Sequence, residues 1–145
     1  MDIDAYFKKT YTAAFRLTGN KKAACELTTQ AISNLSGKID TNNIITDCIF
    51  KSTVLEVCVL FLQKYDICSV EFDFDYNSKD KSHEIQKALL SLDSVSRIII
   101  VWKDFLGFPL SDLVHIINKD RTELNAELSN ARMQIKQGLS MNVLF

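Results

Sequence analysis

Two short apolar segments joined by the polar turn Asn118-Lys119-Asp120 constrain this chain more than any other feature of it. Before the turn, Leu110 to Ile117 follows Pro109, a residue that fits the first turn of a helix. After the turn, Asp120 and Glu123 form a capping box. Leu124, Leu128, Ala131 and Ile135 then fall at i, i+4, i+7 and i+11, one stripe of an α-helix. Gly138 is expected to end that helix in the C′ role. Two short helices joined by such a turn, the second capped and amphipathic, form a helix-turn-helix. Upstream, Ile85, Ala88, Leu89 and Leu92 mark one short helix, and Asp93 and Ser94 offer caps for another ending at Gly107.

The rest of the chain also reads as helical. Four Gly and one Pro in 145 residues are too few turn residues for a sandwich or barrel of many short strands, and a hydrophobic content of 47% suits one ordinary domain or two small helical ones. The expected fold class is all-α. Phe7, Tyr11 and Phe15 recur every four positions with Lys8, Lys9 and Arg16 between them, and are read as the core face of a first helix closed by Gly19-Asn20. A second helix carries Ala24, Leu27, Ala31 and Leu35 on one stripe and ends at Ser36-Gly37. The third is expected from about Asn43 to Tyr65, with Ile44, Ile45, Cys48, Ile49, Leu55, Cys58 and Leu62 as its face. Val57, Val59, Leu60 and Phe61 spread apolar character around its last turns, so it needs cover on all sides, from its own domain or from a partner.

Periodicity is lost between Ser69 and Ser82. Val70, Phe72, Phe74 and Tyr76 alternate with Glu71, Asp73 and Asp75, a strand-like spacing with no second strand to pair with, and the segment is read as an acidic linker. The organisation expected is a helical domain over residues 1–68, a linker over 69–83 and a helix-turn-helix domain over 84–145.

Several functions are excluded by what the sequence lacks. Cys25, Cys48, Cys58 and Cys68 show no C-x-x-C spacing, and His83 and His115 pair at no ligand spacing, so neither a metal nor a cofactor is expected. Free thiols without a secretory leader point to a reduced, cytoplasmic setting. The most apolar run, Val57 to Leu62, is far shorter than the ~20 residues of a membrane helix, so no membrane is expected as a partner. No Ser-His-Asp set or Gly-rich phosphate loop is present, and the chain is read as not an enzyme. Its 17 basic and 18 acidic side chains leave a net charge of -1, so any contact with DNA has to come from a local patch.

Leu92 to Arg132 resembles, without a gap, region 4 of the extracytoplasmic-function branch of the sigma-70 family. Leu92 and Arg97 stand on its Leu-Pro-(x)n-Arg, with Asp93 in the proline position. Phe105-Leu106-Gly107 falls on "x-E-G", Asp112-Leu113-Val114 on "E-I-A", and Asn118 on the turn glycine. Thr122 to Leu128 lies on "G-T-V-K-S-R-L", and Asn130-Ala131-Arg132 on "R-A-R". The first domain is similar to region 2: Phe15-Arg16-Leu17-Thr18-Gly19-Asn20 matches its "a-Y-R-L-T-G-N" opening, and Ala24-Cys25-Glu26-Leu27 its "A-E-D-L". The resemblance implies a transcription initiation factor with core RNA polymerase as partner at Ala24, Cys25, Glu26, Thr28 and Thr29. It also implies contact with double-stranded promoter DNA, at the -35 element, through Lys119, Arg121, Thr122, Asn125, Ala126, Ser129, Arg132 and Lys136.

The departures from that family point to an alternative. Where its recognition helix presents Lys and Arg to phosphates and guanines, this chain has Asn125, Glu127 and Asn130. Glu123 and Glu127 are expected to face the phosphates. The region 2 helix that melts promoters carries a Trp and basic side chains in the family, whereas Ile45, Ser52, Glu56 and Val59 stand there here, and the single Trp, Trp102, lies in the other domain. The alternative is a sigma mimic with a degenerate DNA surface that binds an anti-sigma factor or the polymerase as a regulator.

Overall fold

The structure, a computed structural model, describes residues 1–38, 45–65 and 81–144. Among these every regular element is helical, so the chain is all-α. It divides into two compact units, Met1–Asp73 and Phe74–Phe145. Residues 69–80 of the expected linker, together with Asn43, Ile44 and Cys68, lie outside the described residues. The linker was expected to reach residue 83, but helix already begins at Lys81.

Three helices build the first unit. Helix α1 (Ile3–Thr18) starts where the Asp2 side chain accepts from the Ala5 amide at 2.8 Å, and stops at Gly19, whose φ of 63° is left-handed backbone that costs glycine nothing. Asn20 immediately caps α2 (Lys21–Asn34) by accepting from the Ala23 amide at 2.8 Å. A stop and a start on adjacent residues fold α2 straight back against α1. Ala13, Ala14, Ala23, Ala24 and Ala31 are all buried between the helices, and these small side chains let the backbones approach closely around Leu17 and Leu27. Each of those two leucines is at most 1% exposed, worth roughly 2 kcal/mol of burial.

The core face of α1 is not the expected one. Phe7 is 45% exposed, and Tyr11 and Phe15 are only half-buried, whereas Tyr6, Thr10, Ala13, Ala14 and Leu17 point inward. Aromatic spacing of four was mistaken for the core stripe because the true stripe is built of small and polar residues. Tyr11 and Phe15 stack on each other instead, centroids 6.3 Å apart. Helix α3 (Asp47–Tyr65) starts later than expected because Thr46 caps it, its hydroxyl accepting from the Ile49 amide at 3.2 Å. Its inward stripe is Phe50, Val54, Val57 and Phe61; Cys48 is exposed, and Ile49, Leu55 and Leu62 are half-buried, so the face expected on those four is rotated. A buried polar chain crosses from α1 to α3. Thr53 donates its one proton to the Ile49 carbonyl at 2.7 Å, so the Tyr6 phenol is the donor in the 2.6 Å bond to Thr53 Oγ1. Burial raises the Tyr6 pKa, with the Thr53 bond opposing it.

The second unit opens with α4 (Lys81–Leu90), whose C-terminal carbonyls are held by a side chain. The Arg97 guanidinium donates to the carbonyls of Leu89, Leu90 and Leu92 at 3.1, 3.3 and 2.9 Å, which gives the Leu92–Arg97 pair a structural meaning. Burial lowers its pKa, and the charge of Asp93 opposes that. Helix α5 (Ser94–Ile100) is capped by Asp93, as expected, and continues as a π-helical turn, Val101–Phe105, before Gly107 at φ 73° breaks it. A 3-10 turn, Leu110–Leu113, leads into α6 (Val114–Ile117). Asn118 then takes left-handed backbone, φ 60° and ψ 45°, the one non-glycine residue to do so among those described. Helix α7 (Arg121–Leu144) packs Leu124, Leu128 and Ala131 against α4 and α5. It does not end at Gly138 as expected. Gly138 is helical, and a helix carries an interior glycine at a cost of about 1 kcal/mol when no left-handed stop is imposed.

Two outcomes check this description. Asn118→Ala should lower stability by about 1 kcal/mol in a urea titration, while Asn118→Gly leaves it unchanged or better, because only the former pays for left-handed backbone. In the native protein at pH 8, a thiol reagent should modify the exposed Cys25 and Cys48 and spare Cys58, whose complete burial pushes its pKa up to about 12; denaturant should release Cys58.

Candidate functional site

The helix-turn-helix is set by local chemistry. Asn118 closes α6 by donating its amide to the Val114 carbonyl at 2.9 Å, and two residues later Asp120 opens α7 by accepting from the Glu123 amide at 2.9 Å. With Leu124, Leu128 and Ala131 buried, the opposite side of α7 has to be free. Arg121, Thr122, Asn125, Ala126, Ser129, Arg132 and Lys136 are all exposed there or on its flanks, and Lys119 is half-exposed in the turn. The structure thus brings the expected DNA-contacting residues onto one helix and its leading turn.

It does not leave all their charges available. Lys119 is ion-paired with Glu127 across two turns, and that bond raises the Lys119 pKa. Glu127 is therefore not presented to phosphates as the sequence suggested: one carboxylate oxygen holds Lys119 and the other, Oε2, is out of contact with solvent. Arg132 makes a two-pronged pair with Asp104, Nε to Oδ2 at 2.9 Å and Nη2 to Oδ1 at 2.5 Å, which raises its pKa. Asp104 lies in the π-helical turn, 28 residues away in sequence, and nothing in the local pattern of either segment announces the pair. Met133, 58% exposed, also escaped the sequence reading, although it follows Thr122, Ala126 and Ser129 in the series i, i+4, i+7, i+11.

Of four expected phosphate-binding cations, two are thus engaged within the protein. The salt dependence expected of DNA binding falls accordingly, from a logarithmic slope of about -3.6 for four phosphates to about -1.8 for two.

In the first unit the expected polymerase-facing residues separate. Ala24 and Thr28 are 0% exposed, with the Thr28 hydroxyl donating to the Ala24 carbonyl at 2.7 Å, so neither can touch a partner; the spacing of α2 puts them on its buried stripe. Cys25, Glu26 and Thr29 are exposed. Glu26 accepts from the Tyr65 hydroxyl at 2.9 Å, and further along the same pair of helices Asn34 donates to Glu56 at 3.0 Å, two cross-links between α2 and α3. Of the positions expected on the melting surface, Ile45 is buried and Ser52, Glu56 and Val59 are half-buried. Among the described residues no group of three His, Cys, Asp or Glu side chains is placed to hold a metal, and no helix is long and apolar enough to cross a membrane.

A three-helix unit followed by a capped helix-turn-helix unit is the fold of a sigma factor. Among solved structures, the chain is similar to the sigma factor RpoE from Bartonella quintana in complex with the anti-sigma factor NepR, with a TM-score of 0.64 over 95% of this chain and 94% of that one at 17% sequence identity. No family model and no curated protein matches the sequence.

Neutralising Asp104 should expose its partner. In Asp104→Asn, Arg132 should react several-fold faster with phenylglyoxal, read by peptide mass spectrometry, while far-UV dichroism is unchanged, since exposed ion pairs add little to stability. An unchanged rate would mean that the pair does not hold Arg132 in solution.

Proposed function

We propose that the chain is a sigma-like transcription factor, which binds core RNA polymerase through the exposed side of α2 at Cys25, Glu26 and Thr29 and meets promoter DNA with α7. What carries the reading is the sigma-factor fold over 95% of the chain, with a helix-turn-helix whose capped second helix has its outer face free. On this reading residues 1–68 are the polymerase-binding module and 84–145 the DNA-facing one, joined by 69–83. Thr122, Asn125, Ala126 and Ser129 face the groove, and Arg121 and Lys136 hold backbone phosphates. Lys119 and Arg132 join them only by leaving their carboxylates. An anti-sigma factor is the regulatory partner in this proposal, by analogy with the neighbour's complex with NepR. Such a protein works in the cytoplasm and needs no cofactor.

One observation favours a second reading. With Lys119 and Arg132 held by Glu127 and Asp104, the surface is electrostatically closer to a mimic, which would bind the polymerase or an anti-sigma factor without engaging a promoter.

The full chain should co-elute with core polymerase at low salt, and Glu26→Arg with Thr29→Arg should weaken that association roughly tenfold or more without changing helicity. Failure to co-elute at low salt would remove the polymerase proposal. Transcription from a selected promoter then separates a factor, which directs it, from a mimic, which binds the enzyme and directs none.

A further inference from the structure

Arg121, Arg132 and Lys136 share one side of α7. At about 100° per residue they fall within about 60° of one another around the helix, spread over about 22 Å of its axis, with Arg132 between the other two. All three are exposed. They border the uncharged crest of Thr122, Ala126, Ser129 and Met133, which points away from the core. The carboxylates of α7 itself, Glu123 and Glu127, stand about 140° or more around the helix from Arg132, on the other flank. The partner of Arg132 comes instead from another element: Asp104 takes the Nε and Nη2 edge of the guanidinium at 2.9 and 2.5 Å.

Asp104 is set on an anchored turn. The π-helical turn that carries it closes with the Leu106 amide donating to the Val101 carbonyl at 3.1 Å, one residue further back than in an α-helix, which re-aims the side chains within it. Trp102 anchors the same turn, its ring wholly buried and its indole N–H bonded to Pro109. Resting on the reading of α7 as a DNA-facing helix, we infer that the Asp104–Arg132 pair is an autoinhibitory contact, in which a carboxylate on this turn withholds the central charge of the basic side of α7 from phosphate. Asp104 occupies the two-pronged edge that a phosphate would also take, so through that edge the guanidinium serves one or the other. The pair lies at the surface, with the Arg132 side chain 50% and that of Asp104 32% exposed, where ion pairs are weak and screened by salt. It therefore lowers the availability of Arg132 without locking it. Release needs rotation of one side chain and no unfolding.

The test is a double-mutant cycle read by DNA binding. The full wild-type chain, Asp104→Asn, Arg132→Gln and the double variant are each titrated onto a mixed-sequence duplex over a range of salt concentrations. With Arg132 present, Asp104→Asn should tighten binding about three- to fivefold and steepen the logarithmic salt slope by about 0.9, the share of one more phosphate. In the Arg132→Gln background the same change should gain little. An equal gain in both backgrounds means that Asp104 acts only as a negative charge near the helix, and no gain in either means that it withholds nothing. Each of those results overturns the inference while leaving the DNA-facing role of α7 in place. Trp102 emission, which reports on the same turn, should be unchanged in Asp104→Asn; a shift would make Asp104 a residue that shapes the turn, and also overturns it. Retention of no duplex by any variant at low salt overturns the DNA-facing reading and the inference with it, and co-elution with core polymerase then shows whether the polymerase proposal survives.

Discussion

Trp102 is wholly buried, and a buried indole N–H has to find an acceptor; it finds the Pro109 carbonyl at 2.7 Å, across a corner that also brings Phe108 against the ring at 4.6 Å. The bond joins the end of α5 to the start of the helix-turn-helix, so the path of Leu110 onward is fixed by one side chain. The π-helical turn is part of the same arrangement. It lies over Val101–Phe105, includes Trp102 itself, and carries Asp104 to where Arg132 of α7 can be gripped. Core, corner and the charge state of the outer face of α7 therefore depend on one five-residue turn. An indole is best suited to that place because it fills a large volume and needs only a single acceptor.

What the sequence made legible is what is decided within one turn of helix. Asp93 and Asp120 each cap the next amides along the chain, and Asn118 sits where a left-handed residue has to be; Asp2 and Asn20 cap in the same way, although the sequence reading gives Asn20 only as the close of α1 and Asp2 no role. Those are local bargains between a side chain and its own backbone, and composition near them reveals them. The face of α1 was misread because Phe7, Tyr11 and Phe15 carry more hydrophobic weight than Thr10, Ala13 and Ala14. Which residues go inward there is decided by how closely α2 can approach, a property of the pair of helices. The site was legible as a set of residues and illegible as a charge distribution. Arg132 and Asp104 meet only after α5 and α7 have packed, and the π-helical turn that aims Asp104 has no sequence signature to read.

Pairing changes the meaning of Glu127. As an isolated carboxylate on α7 it would repel any anion brought to that helix; tied to Lys119 it is locally neutral, and the pair as a unit neither attracts nor repels strongly. The same holds for Arg132 and Asp104. The surface is then uncharged over Thr122, Ala126, Ser129 and Met133, with positive charge at Arg121 on one flank and at Lys136 where the crest continues, and negative charge at Glu123 on the other flank. A helix of that kind would gain less from counterion release than one with all four cations available.

That neutrality is not imposed by the fold. Thr122, Asn125, Ala126, Ser129 and Met133 are exposed, and substitutions at such positions usually alter stability by less than about 0.5 kcal/mol. Arg and Lys are also better helix formers than Thr, Ser or Asn, so helix propensity would favour a basic crest over the one present. Ala24 and Thr28 in the first unit are the opposite case, since at 0% exposure their size and hydrogen bonding are fixed by the packing of α2 whatever binds outside. The composition of the α7 crest is thus free of the constraint that explains the core.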